Sequence, residues 1–216
     1  MSSTSCVIVD YGLGNVFSVL QAMRDIDADV RLSGDPRTIR EADRLILPGV
    51  GAFGRAADRL RGLGLEEPVL EYIGTGRPFL GICVGMQLLM ETGSEFGTHR
   101  GLGLIEGGVD KIDVTDAQGV KLKVPLIGWH PLFPPTNDYD RWAGTPLDEI
   151  DRDSAFYFVH SFAARLPSDA DVLAVTRHSG AEIVAAVRKD NVIGTQFHPE
   201  RSAQAGRAFL RSFLGQ

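Results

Sequence analysis

Arg77-Pro78-Phe79-Leu80-Gly81-Ile82-Cys83-Val84-Gly85-Met86-Gln87-Leu88-Leu89-Met90 reads as a short apolar strand, a sharp turn and a helix reaching about Thr92. Cysteine stands at the turn, with a glycine two residues before it and another two after. This is the pattern of a nucleophile elbow with Cys in the place of Ser. Glycines there let strand and helix backbones approach closely, and a strained turn lifts the side chain above the sheet. The helix start that follows favours thiolate, the reactive form, over thiol. A lone Cys at a strand end is by default a buried, inert thiol. The elbow therefore needs a base, an orienting acid and an oxyanion site from elsewhere in the chain.

Upstream, Cys6-Val7-Ile8-Val9-Asp10 is a continuous apolar run, as a parallel strand buried on both faces requires. It enters Tyr11-Gly12-Leu13-Gly14-Asn15 and a helix with Val16, Val19, Leu20 and Met23 on one side. Phe17 occupies the third-glycine position of a dinucleotide motif, so this is read as a plain strand-to-helix turn. Asp29 to Leu32 is a second strand, Asp35 and Pro36 open a short helix through Glu41, and Arg44 to Leu47 is a third strand that Pro48 ends. Gly49-Val50-Gly51-Ala52-Phe53-Gly54 then matches Gly-x-Gly-x-x-Gly between a strand and a helix, with Glu66, Glu67 and Glu71 downstream. Three uses remain open for it: a dinucleotide cradle, a set of backbone donors for another oxyanion, or a tight turn. A helix from Glu67 to Ile73 leads back to the elbow strand. Such βα alternation implies right-handed crossovers and a parallel sheet.

After Gly93 the texture changes. Gly108 to Val114 and Val120 to Val124 alternate, as half-exposed strands do. Gly128-Trp129-His130-Pro131 reads as a loop, Ala155 to Phe162 as one buried strand. Val172 to Arg177 and Ile183 to Val187 read as an antiparallel pair around His178-Ser179-Gly180. Val192 to Phe197 is the last strand, and a helix from Ser202 shows Ala205, Phe209 and Phe213 on one side. The expected fold is α/β: a mostly parallel central sheet flanked by helices, with an additional antiparallel layer in the C-terminal half. One domain is expected over 1–216, a length that can bury a full core.

Composition narrows the function classes. The net charge is −6, without a basic run, so nucleic acid is a poor partner. No apolar run reaches the length of a membrane span. Met1 to Ser5 is polar, without a basic start or an apolar core, and two cysteines make no disulfide framework; a cytoplasmic location is expected. Of the five histidines, His99, His130 and His178 are expected in solvated loops, and His160 ends a strand and can line a pocket. None stands at metal-ligand spacing, so no metal is expected. His198-Pro199-Glu200 follows the last strand. Residues i and i+2 of an extended segment face the same way, so Glu200 can orient the imidazole while its other nitrogen serves the thiol. Cys83, His198 and Glu200 together have the logic of a triad, which is recognised by roles and not by chain order.

Gly81-Ile82-Cys83-Val84-Gly85-Met86-Gln87 with His198-Pro199-Glu200 resembles the triad-type, class I glutamine amidotransferases. Asp10-Tyr11-Gly12-Leu13-Gly14-Asn15, Pro48-Gly49-Val50-Gly51-Ala52-Phe53, Ile127-Gly128-Trp129 and Phe158-Val159-His160-Ser161 resemble the glutaminase subunits of imidazole glycerol phosphate synthase, an enzyme of histidine biosynthesis. The resemblance implies that Cys83 is the nucleophile, His198 the acid/base and Glu200 its orienter. By the same resemblance Gln87 and Glu95 hold the glutamine, His160 and Ser161 line its pocket, and Gly49, Val50 and Gly51 with the Val84 amide form the oxyanion hole. In such subunits the loop is thought to rearrange when the partner's substrate binds. Tyr11, Asn15 and Trp129 are implied to face a cyclase partner that receives the ammonia, and no cofactor is implied. His130 stands where Asn is expected after Gly-Trp, Phe162 where Tyr is common, and Leu126 where His is frequent. Two other readings stay open: a glutaminase of another pathway, such as that of pyridoxal phosphate synthase, and a non-catalytic subunit that keeps the fold.

Overall fold

A computed structural model describes residues 5–113, 124–136, 138–178 and 181–215. In chain order the first half is β1 (Cys6–Val9), α1 (Val16–Arg24), β2 (Val30–Ser33), α2 (Pro36–Glu41), β3 (Arg44–Gly49), α3 (Phe53–Gly62), α4 (Glu66–Ile73), β4 (Phe79–Cys83) and α5 (Val84–Gln87). There follow β5 (Met90–Gly93), β6 (His99–Arg100), β7 (Ile105–Lys111), β8 (Leu126–Pro131), β9 (Ala155–His160), β10 (Phe162–Arg165), β11 (Val172–His178), β12 (Ala181–Lys189), β13 (Val192–Thr195) and α6 (Ala203–Gly215).

Seven strands form the central sheet in the order β11-β12-β13-β4-β3-β1-β2. The five from β13 to β2 are parallel, and β12 and β11 add an antiparallel edge. Strands β1, β3, β4 and β13 are buried at every position, which is why, apart from Arg44 at the start of β3 and Thr195 at the end of β13, their sequences are apolar and do not alternate. Helix α1 buries Val16, Val19, Leu20 and Met23 on the expected side. Helix α2 begins as expected, the Asp35 carboxylate accepting the Thr38 N–H at 2.8 Å. Phe156 of β9, Phe197 after β13 and Phe209 of α6 stack their rings 4.4 to 6.4 Å apart and fasten the last helix to the core. A second sheet, β10-β7-β5-β6, is antiparallel at β10–β7 and β5–β6 but parallel at β5–β7, and the two-stranded sheet β8-β9 is antiparallel; together they form the additional strand layer. Among the described residues no helix is long and apolar enough to cross a membrane.

The local expectations need five corrections. The helix after Cys83 ends at Gln87, far short of Thr92. Leu88 and Leu89 turn their carbonyls to the amides of Leu102, Leu104 and Ile105, and Met90 then pairs with Ile105, so the apolar run is drawn into the second sheet. Pro48 does not end β3: it stays in register opposite Ile82 of β4, beyond Ile46, the last β3 residue in register with β1. The segment from Gly128 is part of β8, paired along its length with β9. Accordingly His99, His130 and His178 lie in β6, β8 and β11 and not in loops. The run from Ala155 to Phe162 is broken at Ser161, its halves joining different sheets. The strand expected from Val120 lies, but for Val124, outside the described residues.

Candidate active site

Strand β4 delivers Cys83 to the carboxyl edge of the central sheet with φ +55° and ψ −109°, a conformation that strains any residue with a Cβ. The flanking glycines are fixed by contact. A Cβ on Gly81 would lie 2.7 Å from the Gly85 carbonyl oxygen, and one on Gly85 only 1.8 Å from that of Leu47. The elbow is therefore wedged between strand and helix backbones that no larger residue would let so close. Its sulfur sits at the floor of a cavity of about 530 Å³.

Strand β13 lies beside β4, so the chain leaving it passes Cys83. His198 is held by its N–H on the Tyr157 carbonyl at 2.9 Å and by the Ser202 hydroxyl, which donates to the His198 carbonyl at 2.6 Å. Its Nδ1 meets Glu200 Oε1 at 2.8 Å, with both side chains almost wholly buried. The contact does not arise from an extended i, i+2 pair as expected. His198 is extended, but Pro199–Arg201 forms a 3-10 turn that swings Glu200 back under the ring. Burial works against the imidazolium. Hydrogen bonds and charge from Cys83 and Glu200 more than offset this and raise His198 to about 10, which favours the imidazolium. Nε2 has no nitrogen or oxygen partner; Cys83 is the group that acts on it.

The cavity gathers Val50, Gly51, Val84, Gln87, Glu95, His160, Ser161 and His198 around Cys83, and Asn15 stands at its edge. Gly49 is in register opposite Cys83, so β3 carries the glycine loop to the sulfur. Glu95 Oε2 accepts the N–H of Phe53, the first residue of α3, at 2.9 Å. A carboxylate thus already occupies the helix start where a pyrophosphate would have to sit, and Gly54 is required by the His99 ring, 2.5 Å from where its Cβ would be. Both facts remove the dinucleotide reading of Gly49 to Gly54. His160 gives Nδ1 to the Phe162 carbonyl at 2.8 Å, and burial pushes it down to about 4, leaving a neutral ring with an unpartnered Nε2.

Tyr11 corrects another expectation. It is fully buried and does not face a partner; its hydroxyl donates to the Pro48 carbonyl at 2.8 Å, under the glycine loop. Asn15 is exposed, and Trp129 is 51% exposed with its ring edge-on to Tyr157. One residue at the sulfur escaped sequence reasoning. Gln196 is wholly buried and donates from Nε2 to Cys83 Sγ at 3.7 Å. An uncharged amide two residues before a histidine carries no signal of its own; only the strand neighbour it meets gives it meaning.

An α/β sheet with a cysteine elbow at its carboxyl edge and a His–Glu pair delivered by the adjacent strand defines a cysteine-dependent acyl-transfer architecture. The sequence profile described as glutamine amidotransferase class-I matches residues 7–215, and the chain belongs to that family. The chain is 43% identical over 214 residues to imidazole glycerol phosphate synthase subunit HisH 1 of Legionella pneumophila (strain Lens), covering 99% of both chains. It is 45% identical over 207 residues to the HisH subunit of Salinibacter ruber, covering 95% of this chain and 92% of the relative. In fold it resembles PurLQS from Thermotoga maritima, with TM-score 0.71 at 18% identity over 99% of this chain and 98% of the other. It also resembles a putative GMP synthase protein from Thermoplasma acidophilum, with TM-score 0.67 at 21% identity over 100% and 94%.

Proposed function

We propose that this chain is the glutaminase subunit of an imidazole glycerol phosphate synthase. It hydrolyses glutamine to glutamate and ammonia and passes the ammonia to a cyclase subunit, which makes imidazole glycerol phosphate and aminoimidazole carboxamide ribotide in histidine biosynthesis. The observation that carries the reading is the strained, cavity-facing Cys83 with a His198–Glu200 pair beside it. Full-length similarity to HisH subunits supports the choice of pathway.

In this reading the Cys83 thiolate attacks the side-chain amide carbon of glutamine, and the C–S bond forms as the carbonyl electrons move to oxygen. Backbone N–H groups of the Gly49–Gly51 loop and of Val84 hold that oxyanion. The imidazolium of His198 gives its proton to the departing nitrogen, and ammonia leaves behind a γ-glutamyl thioester. Water, losing a proton to His198, attacks the thioester; the thiolate is expelled and the imidazolium restored. Glu200 keeps the ring oriented and its charge balanced throughout. Glu95 and Gln87 receive the ammonium end of the substrate, and neutral His160 offers Nε2 as an acceptor. Asn15 and the half-exposed Trp129 belong to the face that meets the cyclase, where Val50 and Phe96 form an apolar rim to the cavity.

The test is Cys83→Ala in the reconstituted complex. Glutamine-dependent synthesis falls by about three orders of magnitude or more, while synthesis from added ammonia persists. Loss of both activities in an intact complex would overturn the assignment.

A further inference from the structure

The buried amides beside the elbow form a chain whose direction can be deduced. Gln87 Nε2 lies 3.1 Å from the Phe162 carbonyl oxygen and 3.0 Å from Gln196 Oε1. A backbone carbonyl can only accept, so the Gln87 NH2 group must point toward Phe162. Its second N–H then goes to Gln196, which must turn its oxygen to Gln87 and its NH2 to the other side. What stands there is Cys83 Sγ, at 3.7 Å. Gln196 is wholly buried and Gln87 nearly so, and an amide is not placed in such a site without partners.

We propose that Gln196 is a thiolate-stabilising residue, its amide N–H acting as a second donor to the Cys83 sulfur beside His198. A donor on sulfur favours the charged form and loses little by it, because the amide is already oriented by Gln87 and need not be drawn from water. The same chain leaves Gln87 Oε1 as that residue's only free polar atom toward the cavity, an acceptor suited to an ammonium group. The titratable and charged groups around Cys83 are His198, with Glu200 behind it, the Tyr11 phenol, and Glu95, His160 and Arg201 of the same cavity; the phenol is pushed up by burial, with a smaller push from Cys83, and stays neutral. Gln196 does not titrate, so its contribution holds across the range in which the others change.

The inference rests on Cys83 as nucleophile, and the experiment separates the two. Full-length protein is alkylated with iodoacetamide between pH 5 and 10, the rate being read at the Cys83 peptide by mass spectrometry. Gln196→Glu keeps the acceptor for Gln87 and turns an oxygen to the sulfur; Gln196→Met keeps the volume and removes the donor. Alkylation of either folded variant is expected to be about 10-fold slower at pH 7, its profile displaced upward by about one pH unit. In the complex, kcat for glutamine falls about 10-fold with KM within about 3-fold, and ammonia-dependent synthesis is unchanged. A profile that stays in place in a folded variant overturns the role of Gln196, since a purely structural amide would not move it. If wild-type Cys83 is not labelled by a glutamine-like diazoketone in the complex, the nucleophile reading itself fails, and this inference with it.

Discussion

His160 shows how a single side chain sets a pH limit on the fold. Its folded-state value near 4 is below the ordinary histidine value of about 6.5, chiefly through burial. Above pH 6.5 neither folded nor unfolded chain protonates it. As the pH falls from 6.5 towards 4 the unfolded chain takes up a proton that the folded chain refuses, so stability is lost through that window. Between pH 7 and 5 the loss from this residue is about 2 kcal/mol, at about 1.4 kcal/mol per pH unit below 6.5. Urea unfolding at the two pH values checks it: His160→Gln should lack that part of the decline, and an equal decline in both proteins would refute the assignment. Cys83, His198 and Glu200 could be found from residue type and position alone, because reactive and titratable groups beside glycines or strand ends are conspicuous in a sequence. Gln196 could not, being uncharged and placed by a neighbour 113 positions away. Tyr11 was misplaced for a related reason: the glycine-rich turn around it reads as exposed, whereas its ring turns inward to the Pro48 carbonyl.

The elbow element is specified by contact more than by propensity. Adding one methyl at Gly85 would drive it into the Leu47 carbonyl, which is backbone and cannot step aside. Gly85→Ala is expected to destabilise by about 3 kcal/mol or more, as overpacking against a fixed neighbour does. Gly62, the last residue of α3, has open space where its Cβ would be, so Gly62→Ala should be neutral or stabilise by up to about 1 kcal/mol. Thermal melts of the two variants provide the comparison, and equal effects would refute the account. The strands of the central sheet and the helix from Pro36 were legible because burial on both faces and an Asp cap leave clear marks. The shortness of α5 was not. Leu88-Leu89-Met90 is as good a helix sequence as a strand sequence, and only the amides of 102–105, arriving from a distant segment, settle the choice. The glycine and prolines near β8 likewise suggest a loop until β9 is present to pair with it.

Taken whole, the molecule keeps large apolar side chains out of its core at the cavity side. Phe96 is 91% exposed and held at φ +57°, and Ile127 and Trp129 stand two residues apart on one exposed face of β8. If the cyclase covers Phe96, Phe96→Ser should weaken the complex about 10-fold or more, since burying a phenylalanine is worth about 2 kcal/mol. The isolated chain should melt within about 2 °C of wild type, as a surface substitution does. Calorimetric titration with the cyclase measures the first, and unchanged affinity would place the partner elsewhere. The fold class could be read from alternating elements, but the order of the inner strands could not, since β1, β3, β4 and β13 are buried alike.

That order has a consequence for the protein as it is made. Strand β13, next to β4 in space, comes more than a hundred residues later in the chain. During synthesis the thiol at position 83 therefore exists for most of the chain's growth with neither base nor amide donor at hand. Its chemistry can switch on only after position 200 has emerged and the last strand has slotted into the middle of the sheet, so an interrupted chain that stops short of that point is born inert.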